Sequence, residues 1–239
     1  MLEKNEKKLI FDAHFHFCNC KKLGIFEFPA DFTDTWAGIS CAHSKEEWEL
    51  QKTAPSSVIQ AYGLHPQNAS NENVAESTDF LELLIRNKQI SAIGEAGFDF
   101  FTDEYKSFRK KQEEIWNIQL ELAVKNNLPL IIHCRKANEK LFEYSKTLSK
   151  LPEVLFHSFM GTAEEGESLL KRGINGYFSF GKQVFNNNKK VINCVKKLPE
   201  NRVLGETDAP FQCLKGEEYT KPCEIKKILK EIEKLRKEI

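Results

Sequence analysis

Leu128-Pro129-Leu130-Ile131-Ile132-His133-Cys134 is an unbroken apolar run that ends on a histidine. A strand with one wet face alternates apolar and polar side chains, whereas a parallel strand covered on both faces does not. The run predicts a buried parallel strand, and its surroundings agree. Before it, Ile115, Ile118, Leu122 and Val124 give residues 105–126 an apolar helical face, and after it residues 138–148 read as another helix. The same rhythm extends in both directions. Strands are predicted over residues 8–17, 36–42, 58–64, 90–93, 128–134, 154–159, 176–180 and 202–207. Helices are predicted over 45–52 behind a Ser44 cap, from a Ser77 or Thr78 cap onward, and over 163–171 and 189–198. Residues 18–33 read as loop, and those after Pro222 as a solvated terminal helix packed on the outside. Strands alternating with helices over this length predict an α/β fold with a parallel sheet, either open or closed as a (β/α)8 TIM barrel. Gly-x-Gly-x-x-Gly and the phosphate-binding Gly-Lys loop are both absent from the sequence, which favours the barrel, as a single domain over residues 1–239.

Length and charge narrow the function. A chain of 239 residues is enough for one such barrel. Lys+Arg 35 against Asp+Glu 35 leaves no net charge, so any contact with nucleic acid belongs to a local site and not to a broad basic surface. The N-terminus, Met1-Leu2-Glu3-Lys4-Asn5, is charged and unlike a signal peptide, and the seven cysteines read as reduced thiols of a cytoplasmic protein. No apolar run approaches the roughly 18 residues of a membrane span. The expected state is a monomer without membrane partners.

Carboxylates are rarely buried unless paired or bound to metal. Yet in Ile93-Gly94-Glu95-Ala96-Gly97-Phe98-Asp99 a glutamate follows directly on an apolar strand. The alternative for the segment alone is a glutamate in an exposed turn. It is one of several, because His14, His16, His65, Glu95, His133, His157 and Asp208 all fall at or just past the C-terminal ends of predicted strands. In a barrel those ends converge on one face, where active sites lie. Of the six histidines only His43 is left out, and it reads as the surface start of a helix.

His14 and His16 are two apart on a strand, so both rings point the same way and can clamp one metal ion. Glu95 has two oxygens and can bridge to a second ion held by His133 and His157. Asp208 can complete the first site or hold a water, and Glu206, pointing the same way, can support it. Mixed His/carboxylate donors suit Zn, Mn, Ni, Co or Fe without choosing among them. Two ions about 3.5–4 Å apart would activate a water and neutralise charge on a phosphoryl or carbonyl oxygen. Arg135 and Lys136 follow His133, where they could meet an anionic substrate or be ordinary surface charge. Cys18 and Cys20 read as loop thiols, Cys134 as pointing into the barrel wall, and Phe178, Phe180 and Phe185 as packing around the core or mouth.

With these residues in place, the chain resembles the TatD family of metal-dependent deoxyribonucleases, within the amidohydrolase-like barrels. The matching pieces are Asp12-Ala13-His14-Phe15-His16, Gly63-Leu64-His65-Pro66, Ile93 to Asp99, Ile132-His133-Cys134-Arg135, His157-Ser158-Phe159-Met160-Gly161 and Glu206-Thr207-Asp208-Ala209-Pro210, in family order. The resemblance implies two divalent ions (Mg, Mn, Zn, Ni or Co), with His14, His16, Glu95 and Asp208 on one and Glu95, His133 and His157 on the other. It implies hydrolysis of phosphodiesters in DNA, often from the 3′ end, and places His65 and Arg135 near substrate phosphate. Metal-activated water is then the nucleophile, Asp208 the base and Glu95 the bridge. Gly216 to Pro222 departs from the family, carrying the acidic pair Glu217-Glu218 where an Arg- and Asn-containing turn is usual, and the segment between His16 and His65 is short. The alternatives are a barrel acting on small phosphoesters, amides or lactones, and a retired barrel that only binds metal or a partner. Many relatives of the first kind bridge their metals with a carboxylated lysine, which the glutamate here speaks against.

Overall fold

The computed structural model describes residues 9–28, 35–71 and 73–237. Eight parallel strands follow one another in chain order around a sheet: β1 (Leu9–Phe15), β2 (Thr35–Ala42), β3 (Val58–Tyr62), β4 (Ala92–Asp99), β5 (Leu130–Arg135), β6 (Val154–Phe156), β7 (Gly176–Phe180) and β8 (Val203–Gly205). The barrel closes just past β8. Asp208 N donates to His14 O at 2.9 Å, and His16 N donates to Ala209 O at 2.8 Å. Buried Asp12 locks the same seam by accepting from Thr207 N at 2.8 Å and Thr207 Oγ1 at 2.6 Å. The expected TIM barrel is what the chain forms.

Ten helices among the described residues surround the sheet: α1 (Phe17–Lys22), α2 (Lys45–Gln51), α3 (Val74–Arg86), α4 (Asp103–Ser107), α5 (Arg109–Asn126), α6 (Asn138–Glu143), α7 (Ser145–Leu148), α8 (Ala163–Lys171), α9 (Lys189–Lys197) and α10 (Ile225–Lys237). Ser44 caps α2 as expected, accepting from Glu47 N. The terminal helix packs on the outside through a stripe of Ile225, Ile228, Ile232 and Leu235, all buried. Inside the barrel, a cluster draws on every strand: Phe11, Ala13, Ile39, Cys41, Ala61, Ala92, Ile131, Leu155, Tyr177 and Leu204. This apolar plug closes the barrel beneath the face that carries the polar residues.

Several boundaries differ from expectation, among them breaks at Phe108 and Tyr144 in the helices read over 105–126 and 138–148 and shorter strands at β6 and β8. The loop over residues 18–33 contains α1, whose Phe17, Cys18 and Cys20 bury against Trp36 and Phe26, while residues 29–33 lie outside the described ones. Helix α3 begins earlier than its serine and threonine suggest, because Val74 already packs on the core. Strand β4 runs on through its glycines to Asp99. Gly97 lies opposite His133 in β5, and a Cβ on it would meet the His133 carbonyl oxygen at 2.0 Å. With φ at 145°, only glycine lets the strands approach this closely. Glycine here marks contact and not a turn.

Candidate metal centre

Five of the eight strand ends deliver donors to a common point. His14 and His16 come from the end of β1, Glu95 from β4, His133 from β5, His157 from just after β6 and Asp208 from just after β8. His14 Nε2 lies 3.3 Å from His16 Nε2 and 3.4 Å from Asp208 Oδ1, and His16 Nε2 lies 3.2 Å from the same oxygen. Glu95, 1 % exposed, sits at the centre. Its Oε1 faces His157 Nε2 at 2.7 Å, His14 Nε2 at 3.4 Å and His133 Nδ1 at 3.7 Å. Its Oε2 faces His43 Nε2 at 3.0 Å, His65 Nε2 at 3.7 Å and His16 Nε2 at 3.8 Å.

His43 corrects the sequence reading. It is no surface residue, because β2 runs to Ala42 and delivers the next side chain to the barrel mouth as the other strands do. The signal was present in the sequence: an apolar run ending on a histidine, obscured by the helix cap at Ser44. Asp99 also carries more weight than its place in the motif suggests. Its Oδ2 faces His133 Nε2 at 3.0 Å and accepts from Gln67 Nε2 at 2.7 Å, while Oδ1 accepts from Phe101 N at 2.9 Å. The carboxylate keeps the His133 proton on Nε2 and leaves the Nδ1 lone pair directed at the centre. Glu206 is buried, accepts from Ser158 Oγ at 2.6 Å and Ser179 Oγ at 2.5 Å, and lies 3.9 Å from His157 Nδ1. Gln212 links it to Asp208, donating to Glu206 Oε1 at 3.2 Å and Asp208 Oδ2 at 3.0 Å.

The electrostatics follow from crowding acids and imidazoles out of water. Burial pushes the Glu95 carboxyl up, but His157, His14 and His65 outweigh it and hold Glu95 well below the usual range. Burial likewise works against Asp208, and hydrogen bonds with His14 and His16 hold it low. For His133, burial lowers the pKa, and Asp99 and Glu95 together raise it to about 9. Burial wins at His65, pushing it well below its ordinary value. Asp12, with burial dominant over its bonds to Thr207, rises to about 7.

The donor set fits a divalent cation. His133 Nδ1 faces His157 Nε2 at 3.2 Å, and His14 Nε2 faces His16 Nε2 at 3.3 Å, so four ring nitrogens crowd around the Glu95 carboxylate. Glu95 Oε2 is buried and has no hydrogen-bond partner. A cation satisfies all of these at once. Two compact ligand groups within this set are His14–His16–Asp208 and His14–Glu95–His157. The centre opens into a cavity of about 590 Å³ lined by His65, Arg135, Met160, Gln183 and Phe211 among others. Arg135 is exposed at its rim, with the guanidinium 3.5 Å from the centre of the Phe101 ring. The Cys134 thiol faces Asn138 Oδ1 at 3.8 Å, and all seven cysteines are free. Cys18 and Cys20 join no ligand group among the described residues.

Comparison with known proteins places the chain. The family described as TatD related DNase matches residues 11–238. An uncharacterized metal-dependent hydrolase of Mycoplasma genitalium is 33% identical over 215 residues, covering 84% of this chain and 80% of that one. A protein of Erwinia tasmaniensis named 3′-5′ ssDNA/RNA exonuclease TatD is 32% identical over 182 residues, covering 73% of this chain and 66% of its own. Among solved structures, a TatD homologue of Escherichia coli superposes with a TM-score of 0.81 at 24% identity, covering 95% of this chain and 90% of that one. A TatD family hydrolase of Entamoeba histolytica gives 0.76 at 18% identity, covering 97% and 92%.

Proposed function

We propose that this chain, which belongs to the TatD family of metal-dependent hydrolases, hydrolyses phosphodiester bonds in DNA, working inward from a 3′ end. The observation that carries the reading is the position of Glu95. One buried carboxylate presents Oε1 to three imidazoles and Oε2 to three more, with Asp208 beside them. No carboxylated lysine is needed where a glutamate occupies the bridging place. His14, His16, Glu95 and Asp208 would hold one divalent ion, and Glu95, His133 and His157 another. Ions there (Mg, Mn, Zn, Ni or Co) supply Lewis acidity to a phosphoryl oxygen and lower the pKa of water.

The chain's own residues do the rest. Asp208, held low by His14 and His16, is an ionised base that takes the proton of the attacking water. Gln212 orients it through Oδ2. His65 accepts from Gln67 N at its Nδ1, 3.2 Å away, so the neutral ring carries its proton on Nε2 and can donate to a phosphate oxygen. Arg135, held over the Phe101 ring, meets the phosphate from the rim. The DNA-cleaving reading draws support from the Erwinia relative named an exonuclease.

The test is incubation of metal-loaded protein with end-labelled single-stranded DNA, beside small phosphodiester and amide substrates. Shortening from the 3′ end, lost in Glu95→Ala and Asp208→Asn, is the expected result. Intact DNA with every metal would refute the nuclease reading, and turnover of a small substrate alone would replace it.

A further inference from the structure

The rim of the cavity carries apolar groups above a polar centre. Among the described residues eight large hydrophobic side chains are exposed, and three of them, Phe101, Met160 and Phe211, gather at this mouth. A scattered exposed hydrophobe is ordinary, but several on the wall of one site mark a surface kept open for a ligand. Phe101 already holds Arg135 over its ring. Phe211 and Met160, 48 % and 41 % exposed, line the cavity itself.

Both side chains are placed by the network that serves the centre. Phe211 N donates to Asp208 O at 2.7 Å, and the phenyl ring meets His16 edge to face, with centroids 5.0 Å apart and planes at 77°. Gln212, the next residue, donates to Ser158 Oγ, two residues before Met160. The loops after β6 and β8 are tied together there, with a phenyl ring and a thioether beside Asp208.

The two sides of the mouth differ in charge. Strand order, closed where β8 meets β1, sets β8 across the barrel from β4 and β5, so Phe211 lies opposite Phe101 and Arg135. Arg135 is the only Lys or Arg among the described residues lining the cavity. A strand cut from its end has further phosphates on one side of the scissile bond and a lone nucleoside on the other. The phosphates suit the Arg135 side, and the nucleoside suits the wall that carries no cation. A nucleobase is flat and uncharged, and its π-face packs on a phenyl ring or a polarizable sulfur.

We propose that Phe211 and Met160 form a stacking subsite for the nucleobase of the 3′-terminal nucleotide. It takes any of the four bases, because each has a π-face and stacking reads no base edge. The inference rests on the nuclease reading and adds to it a means of choosing a nucleotide end. A phosphoester without a planar ring gains nothing from this wall.

The experiment measures binding of 5′-labelled single-stranded oligonucleotides, by fluorescence anisotropy, to metal-loaded wild type, Phe211→Ala, Phe211→Tyr and Met160→Ala. A phosphorothioate at the last linkage keeps the strands intact. One strand ends in an ordinary nucleotide, a second has an abasic residue at its 3′ end, and a third has the abasic residue well inside the strand. Wild type is expected to bind the first about tenfold or more tighter than the second, and the third like the first. Phe211→Ala should bind the first and second alike, Phe211→Tyr should keep the preference, and Met160→Ala should lose part of it. Should Phe211→Ala fail to fold, wild type and Met160→Ala still decide the matter. A wild type indifferent to the terminal base overturns the subsite, and so does equal weakening of both ends in Phe211→Ala. An equal loss from the interior abasic residue also overturns it. If unmodified DNA is shortened beside such a result, the nuclease reading stands and the subsite alone falls. No binding of any strand, with unmodified DNA intact under every metal, removes both.

Discussion

The barrel interior has two storeys built on opposite terms. The lower one is apolar, with Ala13, Cys41, Ala61, Ala92, Ile131 and Leu155 buried together and every strand contributing. The upper one, reached one step further along the same strands, crowds His14, His16, Glu95, His133, His157 and Asp208 into a space almost as dry. Burying apolar groups contributes to stability, about 25 cal/mol per Å². Burying acids and imidazoles costs free energy, which cations and tight networks must offset. The lower storey should matter to folding and be indifferent to metal. The upper storey should be indifferent to folding only when its partners are in place.

Replacing Glu95 with Ala should have the largest effect, because the side chain faces six imidazoles. Phosphodiesterase activity should fall by about 10³-fold or more, the scale of losing a principal electrostatic group. Gly97→Ala should come next. The new Cβ meets the His133 carbonyl oxygen at 2.0 Å, so separation of β4 from β5 is expected to lower stability by about 3 kcal/mol, measured by denaturant unfolding.

Asp99→Asn probes the support of a single ligand. With its oxygen kept by Phe101 N, its amide would face His133 Nε2 and Gln67 Nε2, donors against donors. The His133 proton would move to Nδ1, and metal affinity should weaken by about 10–100-fold in a metal-buffered titration, with the melting of the stripped protein little changed. The smallest effect belongs to the lower storey. Ile131→Val, at a site 2 % exposed, should cost about 1 kcal/mol of stability and leave metal affinity as it was. A comparable loss of metal on that substitution would erase the distinction between the storeys.

The periodic parts of this architecture were legible before any coordinates. Apolar runs such as Leu130 to Ile132 announce strands because both faces are covered, and the helices between them keep their apolar stripes. The convergence of His14, His16, Glu95, His133, His157 and Asp208 follows from the barrel alone, since strand ends share a face. What escaped was set by contacts distant in sequence. Gly94 and Gly97 read as the end of a strand, when they are the places where β4 touches Ile131 and His133. His43 was hidden by the helix signal one residue on, and its tautomer depends on Gly63, which no local pattern relates to it. Asp99 stood in plain view within a motif, but its hold on His133 exists only once β4 and β5 pair.

The most direct test of the central claim is the metal content of two variants, Glu95→Ala and His157→Ala, by elemental analysis after dialysis against a divalent metal. A shared carboxylate predicts that replacing Glu95 releases ions from every position it touches, while replacing His157 releases mainly one. Full metal content in Glu95→Ala would contradict the account.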